Sequence, residues 1–322
     1  MNRSGPTSPI SKTKQEIVWP GGRQQVTRSA LRGRWKSCQT HQVIQYYNTC
    51  WIAGIVFVVY NNKALWQLMS PNVQNYVLSY FRNPAAATSF YNLYDLRNKD
   101  KTTDQCRGIP KEISDLYLWF TTGTSEGYIS SDVGGRADIL FDAFCAVSPK
   151  LSLAIIVLNR KFIWPLKENF DQFAGIVRVE CWCPPFPLFS SKLKQLCDMA
   201  INLLYGFECV GGWVCVTQIN EPSHTMGFVR CQSGLNTGYD DDFFLSQTYH
   251  SSFGARVSQL VHARPEADFQ FDSQKTRRMT DNIYAVTFLY TRIPEMSGDA
   301  QEVIDTTYKR IHLLHHHLKH IA

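Results

Sequence analysis

Apolar positions fall into two regimes along the chain. Before residue 121 they recur mostly at helical spacing; from Leu151 onwards they run continuously or alternate, as strands do. Residues 48–69 predict a helix with a broad apolar face of Cys50, Trp51, Gly54, Phe57, Val58, Leu65, Leu68 and Met69, although β-branched residues blur the pattern. Pro71 suits a first helical turn and predicts a second helix from Asn72 to Phe81. Glu112 to Phe120 predicts a third, short helix, residues 96–110 read as a loop, and Gly123 to Gly135 reads as turns.

Leu151 to Leu158 is a continuous apolar run, and Ile176 to Cys183 alternates, with Arg178 and Glu180 on one face. Leu193 to Tyr205 has a helical stripe of Leu193, Leu196, Cys197, Ala200, Leu203 and Leu204. Three further strands are expected at Trp213–Ile219, Thr225–Cys231 and Ile283–Thr291. A closing helix from about Asp299 carries the stripe Val303, Thr307, Ile311, Leu314 and Leu318. No repeat is visible, and helices first with strands later is an α+β pattern.

Composition narrows the class. With 322 residues, 44% apolar and 19% charged, the chain can bury a core, and disordered, collagen-like and coiled-coil classes are excluded. The longest apolar run, Trp51 to Tyr60, is ten residues, short of the ~18 of a membrane span. The N-terminus, MNRSGPTSPISK, has no apolar h-region, so a secretory signal is not expected.

Charge is unevenly placed. Residues 1–40 hold eight basic side chains (Arg3, Lys12, Lys14, Arg23, Arg28, Arg32, Arg34, Lys36) against Glu16, so the other 282 residues sum to −1 of the total +6. The chain therefore reads as a basic extended arm, residues 1–37, and a near-neutral domain, residues 38–322. Apart from Ile17, Val18 and Trp19 the arm has little to bury and should not fold alone. It is either a solvated tail or an attachment device for an acidic protein face, nucleic acid or a membrane surface.

Ten cysteines without a secretory signal read as thiols, mostly small buried hydrophobes. Only Cys181 and Cys183 are close, and C-x-C in a strand points the two side chains to opposite faces, so a zinc site is not expected. His312, His316 and His320 share a helix face near the C-terminus; with no carboxylate or thiol beside them they read as a solvated, pH-sensitive face. No metal or cofactor is expected.

Two fragments carry candidate chemistry. In Gln45-Tyr-Tyr-Asn-Thr-Cys50-Trp51 a thiol stands at the start of a helix, where the dipole favours the thiolate, and Gln45 upstream is placed to donate to an oxyanion. A lone cysteine before an apolar run is more often core. Residues 213–242 then read as a strand, a short turn carrying His224, a second strand, a turn and the triplet Asp240-Asp241-Asp242. Paired antiparallel, these strands bring His224 and Asp240 to one edge, and thiol, imidazole and carboxylate form a Cys-His-Asp set for nucleophilic catalysis. A buried, satisfied His224 and a solvated or cation-binding Asp240–Asp242 turn stand as alternatives. The count of histidines favours His224, because outside the C-terminal tract the chain has only His41, His224, His250 and His262.

Together these fragments resemble the papain-like cysteine peptidases, of the ubiquitin-specific-protease type, including divergent peptidases of large DNA viruses. Asn48-Thr49-Cys50-Trp51 matches the nucleophile box. His224-Thr-Met-Gly-Phe228 and Tyr239-Asp240-Asp241 match the histidine box and the aspartate that follows it, in order and spacing. Leu151 to Phe162 is similar to the strand ending in L-K-R-F, and Phe186-Pro187-Leu188 to the family's F-P-L. The departures are Ser223 for the glycine before the histidine, Thr225 for the tyrosine after it, Ala53 for an asparagine, and Gln45 for the usual oxyanion asparagine.

The resemblance implies a papain-like fold, with a helical half carrying the nucleophile packed on an antiparallel sheet. It implies a thiol protease or deubiquitinase-like hydrolase with Cys50 as nucleophile, His224 as base, Asp240 as its orienter and Gln45 as oxyanion donor. It implies a protein substrate, ubiquitin-like or other, and location in a virion or host cytoplasm. A second expectation is a structural minor capsid protein on a repurposed peptidase fold, bound through residues 1–40 to capsid or other virion proteins, with nucleic acid the weaker partner.

Overall fold

The computed structural model describes residues 43, 49–96, 110–123, 135–148, 151, 153–158, 175–182, 203–218, 221–230, 236–239, 283–293 and 300–321. The helical expectation over 48–69 is met by two helices, α1 (Cys50–Tyr60) and α2 (Lys63–Leu68). Every residue of α1 is buried, as an all-round apolar helix requires. Two asparagines divide it from α2. Asn61 donates from Nδ2 to the Phe57 carbonyl at 2.9 Å, and Asn62 Oδ1 accepts the Leu65 N–H at 3.2 Å as the N-cap of α2. Asn62 Nδ2 also donates to the Val210 carbonyl at 2.7 Å, fixing the break to a strand 148 residues away.

The remaining helices of this half are α3 (Gln74–Phe81), α4 (Pro84–Leu96), α5 (Pro110–Thr122) and α6 (Ala137–Ala146). α4 begins with Pro84 in the first turn, and Asn83 Oδ1 accepts the Ala86 N–H at 3.0 Å. An aromatic chain links them, with ring centroids of Phe81 and Phe90 4.8 Å apart, Phe90 and Phe144 4.9 Å, and Phe120 and Trp51 5.9 Å.

The strands are β1 (Leu153–Leu158), β2 (Ile176–Trp182), β3 (Phe207–Gln218), β4 (Glu221–Arg230), β5 (Asn236–Tyr239) and β6 (Ile283–Arg292), followed by the helix α7 (Ala300–Ile321). They form one sheet in the order β1-β2-β6-β3-β4-β5. This is an α+β architecture, but the sheet is mixed: β1 and β2 run parallel, whereas the other pairings are antiparallel, a correction to the purely antiparallel expectation. Parallel strands require a crossover, which the apolar pattern alone does not reveal. β5 occupies a segment that reads as a turn.

The sheet separates two cores. On one face Ile176, Val210, Trp213, Val229 and Leu289 join the helical half; on the other, Val179, Val214, Phe228, Val286 and Phe288 meet Val303, Ile311 and Leu314 of α7. Thr307 Oγ1 accepts the Tyr205 N–H at 3.2 Å, and the buried Arg310 guanidinium lies 5.1 Å above the Tyr205 ring. His312 and His316 are exposed on α7, in keeping with a solvated face.

Arg178 and Glu180 alternate as expected, yet both are buried, because α6 covers them. The Arg178 guanidinium bonds Asp142 through Nη1 and lies 4.0 Å from Asp138, which is itself gripped by Arg136. Its Nε is 2.8 Å from Glu180 Oε1, close enough to pair by charge although the N–H is not aimed for a hydrogen bond. Burial holds the Asp142 and Glu180 carboxyls above the usual carboxylate range, and Arg178 pulls both back only in part.

Candidate functional site

Cys50 is the first residue of α1 and is buried, at 6% exposure. Thr49 precedes it, and its carbonyl accepts the N–H groups of Ile52 and Ala53, each at 2.9 Å. The N–H groups of Cys50 and Trp51 therefore come before the first intrahelical acceptor, at the positive end of the helix dipole. Trp51 is held by Tyr117 and Phe120 of α5, with ring centroids 6.1 and 5.9 Å away, and Gly135 lies against its ring so closely that a Cβ there would overlap it. Tyr117 is buried beside both residues; desolvation, and then the proximity of Cys50, push its hydroxyl above the ordinary phenol range.

Two glycines set how α1 lies on the sheet. A Cβ on Gly227 of β4 would stand 2.6 Å from the Gly54 carbonyl oxygen and 3.0 Å from Val58 Cγ2. A Cβ on Gly54 would be 3.5 Å from the Gly227 nitrogen and 3.6 Å from the Thr225 carbonyl oxygen. The helix thus touches the strand backbone to backbone, an approach that requires glycine at position 227, whereas a Cβ on Gly54 would make only ordinary contacts.

This contact fixes direction. Gly54 sits over Thr225 and Gly227, Val58 is beside Gly227, and Asn62 reaches Val210, next to the Gly211 that pairs with Val229. α1 and β4 therefore run the same way. Cys50, four residues and ~6 Å before Gly54, lies toward the start of β4, the end that contains His224.

His224 is a strand residue and not part of a turn, because β4 starts at Glu221; this corrects the expected strand start at Thr225. Its backbone pairs with Val216, between two register shifts on β3: one at Cys215/Val216 against β6, the other at Val216/Gln218 against β4. The β3–β4 register is unbroken from His224 to Val229, with Thr225 and Gly227 toward α1 and Met226 and Phe228 in the core under α7. β5 pairs with β4 through Gly227 and Tyr239, and Asp240 follows Tyr239 in the chain. Gln45, Asp240, the His224 side chain, the arm, and the 186–188 segment lie outside the described residues.

Two neighbours of this region are not apparent from the sequence: Tyr117, and Cys215, whose Sγ is 3.8 Å from Thr225 Oγ1. Cys215 lies on a strand the sequence predicts, but its pairing with Thr225 is a long-range register; Tyr117 carries no motif. Among the described residues no group of three or more His, Cys, Asp or Glu side chains is arranged to hold a metal ion, and no helix is long and apolar enough to cross a membrane. No protein-family model matches the chain, and no curated protein or solved structure matches it either.

Proposed function

We propose that the chain is a papain-like cysteine peptidase, of the ubiquitin-specific-protease type and virus-encoded, that hydrolyses peptide or isopeptide bonds. One observation carries the reading: Cys50 opens a wholly buried helix that is seated directly on β4, with its first turn toward the strand end containing His224. A nucleophile on a rigid central helix beside a base on a neighbouring strand is what thiol catalysis needs.

In this reading Cys50 attacks the substrate carbonyl and forms a thioester. His224 takes the thiol proton and returns it to the leaving amine, Asp240 orients the imidazole, and the Cys50 N–H with Gln45 stabilises the oxyanion. Water then hydrolyses the thioester. The test is labelling by a ubiquitin or peptide probe that carries a thiol-reactive warhead. Labelling is expected in the native chain and absent in Cys50→Ala. Equal labelling of both, or none of the folded native protein, overturns the proposal.

The segregation of eight basic residues into positions 1–40 favours a second role, attachment to an acidic face of a capsid or other virion protein through the arm. The two roles are compatible on one chain.

A further inference from the structure

We propose that Glu180 is the working part of an acid-operated clasp between α6 and the sheet: uptake of a proton on its carboxyl removes the surplus negative charge of the ionic seam and tightens α6 on β2. The clasp is a conformational device of the fold and stands whether or not Cys50 is a nucleophile.

The seam is unbalanced. Among the described residues three carboxyls, Asp138, Asp142 and Glu180, meet two guanidiniums, Arg136 and Arg178, and the two cations are not equivalent. Arg136 is exposed and turns both its Nε, 3.0 Å from Asp138 Oδ1, and its Nη2 to Asp138. That leaves the buried Arg178 between Asp142 and Glu180, with Asp138 4.0 Å away. Two carboxylates on one buried cation carry one negative charge too many, and a site shielded from water sheds such a charge by binding a proton.

Geometry selects the carboxyl. Asp138 has Arg136 to itself. Asp142 accepts a hydrogen bond from Arg178 Nη1, and its side chain is 40% exposed, so solvent reaches it as well. Glu180 has neither advantage. Its side chain is 12% exposed, and its Oε1 lies 2.8 Å from an Arg178 Nε whose N–H is not aimed at it. Across the ladder it faces Val157 of β1 on one side and Thr287 of β6 on the other, and neither carries charge. The other titratable groups that feel the seam are Tyr80 of α3 and Cys145 of α6, both raised by burial and then by Asp142, and both therefore neutral. Burial raises the Glu180 carboxyl, Arg178 lowers it only in part, and the charge of Asp138 raises it further.

The element that responds is α6. Its apolar side is anchored by Phe141 on Trp213 and Phe144 on Phe90, with ring centroids 5.6 and 4.9 Å apart, while Asp138 and Asp142 rest on the seam. Ionised, Glu180 repels both aspartates; protonated, it leaves Arg178 to them. The folded carboxyl stands above its unfolded value, so the stabilisation is complete below the unfolded glutamate value of ~4.3 and is lost as pH rises through the folded one.

Amide hydrogen exchange of the full chain, corrected for the intrinsic effect of pH on exchange, reads the clasp locally. The α6 amides should open at least ~3-fold less often at pH 5 than at pH 7, measured against the α7 amides as internal reference. Glu180→Gln, neutral at every pH, should give α6 its acid-state protection at pH 7 and abolish the pH response. In the native chain the assigned Glu180 carboxyl resonance, followed by carbon NMR, should titrate above the exposed glutamates, a reading that needs no variant to fold. The clasp is overturned if α6 and α7 respond to pH alike, if Glu180→Gln keeps the native response or loosens α6 at pH 7, or if Glu180 titrates with the exposed glutamates.

Discussion

Replacing Arg178 by methionine tests whether the charged cluster between α6 and β2 couples the helical half to the sheet. The side chain is only 3% exposed, and it is the buried cation shared by Asp142, Glu180 and, more distantly, Asp138. Arg136 remains in the variant, but at 71% exposure it grips Asp138 alone. Removing one partner of a buried ion pair leaves the other charge unpaired, which costs ~3–5 kcal/mol, against a total stability of only ~5–15 kcal/mol. With a urea dependence of ~1–3 kcal/mol per molar, the unfolding midpoint should fall by at least ~1 M. The double variant Arg178→Met with Glu180→Leu should regain at least ~1 kcal/mol of that loss, since it deletes a stranded charge together with its partner. The pH dependence supplies an independent sign. Asp142 and Glu180 are held above their unfolded values by burial, so the folded chain binds protons more readily there, and their stabilising effect is lost as pH rises through the folded values. Without Arg178 both carboxyls should rise further. The deficit of the variant should therefore be largest near neutrality and should shrink as pH falls toward the carboxylate range. A loss below ~1 kcal/mol, or a deficit that grows on acidification, would refute this reasoning.

Gly227→Ala puts a Cβ 2.6 Å from the Gly54 carbonyl oxygen; it should cost ~1–3 kcal/mol in chemical denaturation and reduce Cys50 labelling by displacing α1. Asn62→Leu removes both the α2 cap and the bond to Val210, with an expected loss of ~1–3 kcal/mol that a urea titration measures. Replacing Asp240 by asparagine should slow turnover by ~10²–10⁴ while leaving Cys50 able to label; a rate within a few-fold of the native one would remove Asp240 from the triad. Deleting residues 1–36 should weaken particle assembly in a salt-dependent way and leave cleavage of a small substrate within a few-fold, whereas unfolding on deletion would make the arm part of the core.

What the sequence made legible was what depends on nearby residues. The alternation of β2 and the apolar length of α1 follow from local period, so both elements lie where the pattern puts them. The break at Asn61–Asn62 was not legible because a carbonyl on β3 completes it. The apolar pattern predicts neither α4, although Asn83-Pro84 is a recognisable start signal, nor α6, whose ten residues follow a glycine-rich stretch. The consequence was specific. With α6 unseen, Arg178 and Glu180 read as a strand's polar face, whereas Asp138 and Asp142 on that helix make it a buried ionic seam.

The candidate site divides along the same line. Cys50 at a helix start is a local feature, and α1 begins there. His224 depends on long-range pairing: the motif gave its chain position, but the strand reaches back to Glu221 and includes it. The register of β3 shifts against β6 between Cys215 and Val216 and against β4 between Val216 and Gln218, and Val216 is the partner of His224. From His224 to Val229 the β3–β4 ladder stays in step, and Thr225 and Gly227 hold the contact with α1. Packing at Gly227 is therefore fixed by an unbroken stretch of ladder, and the irregularity against β3 is confined to the start of β4, between Glu221 and His224.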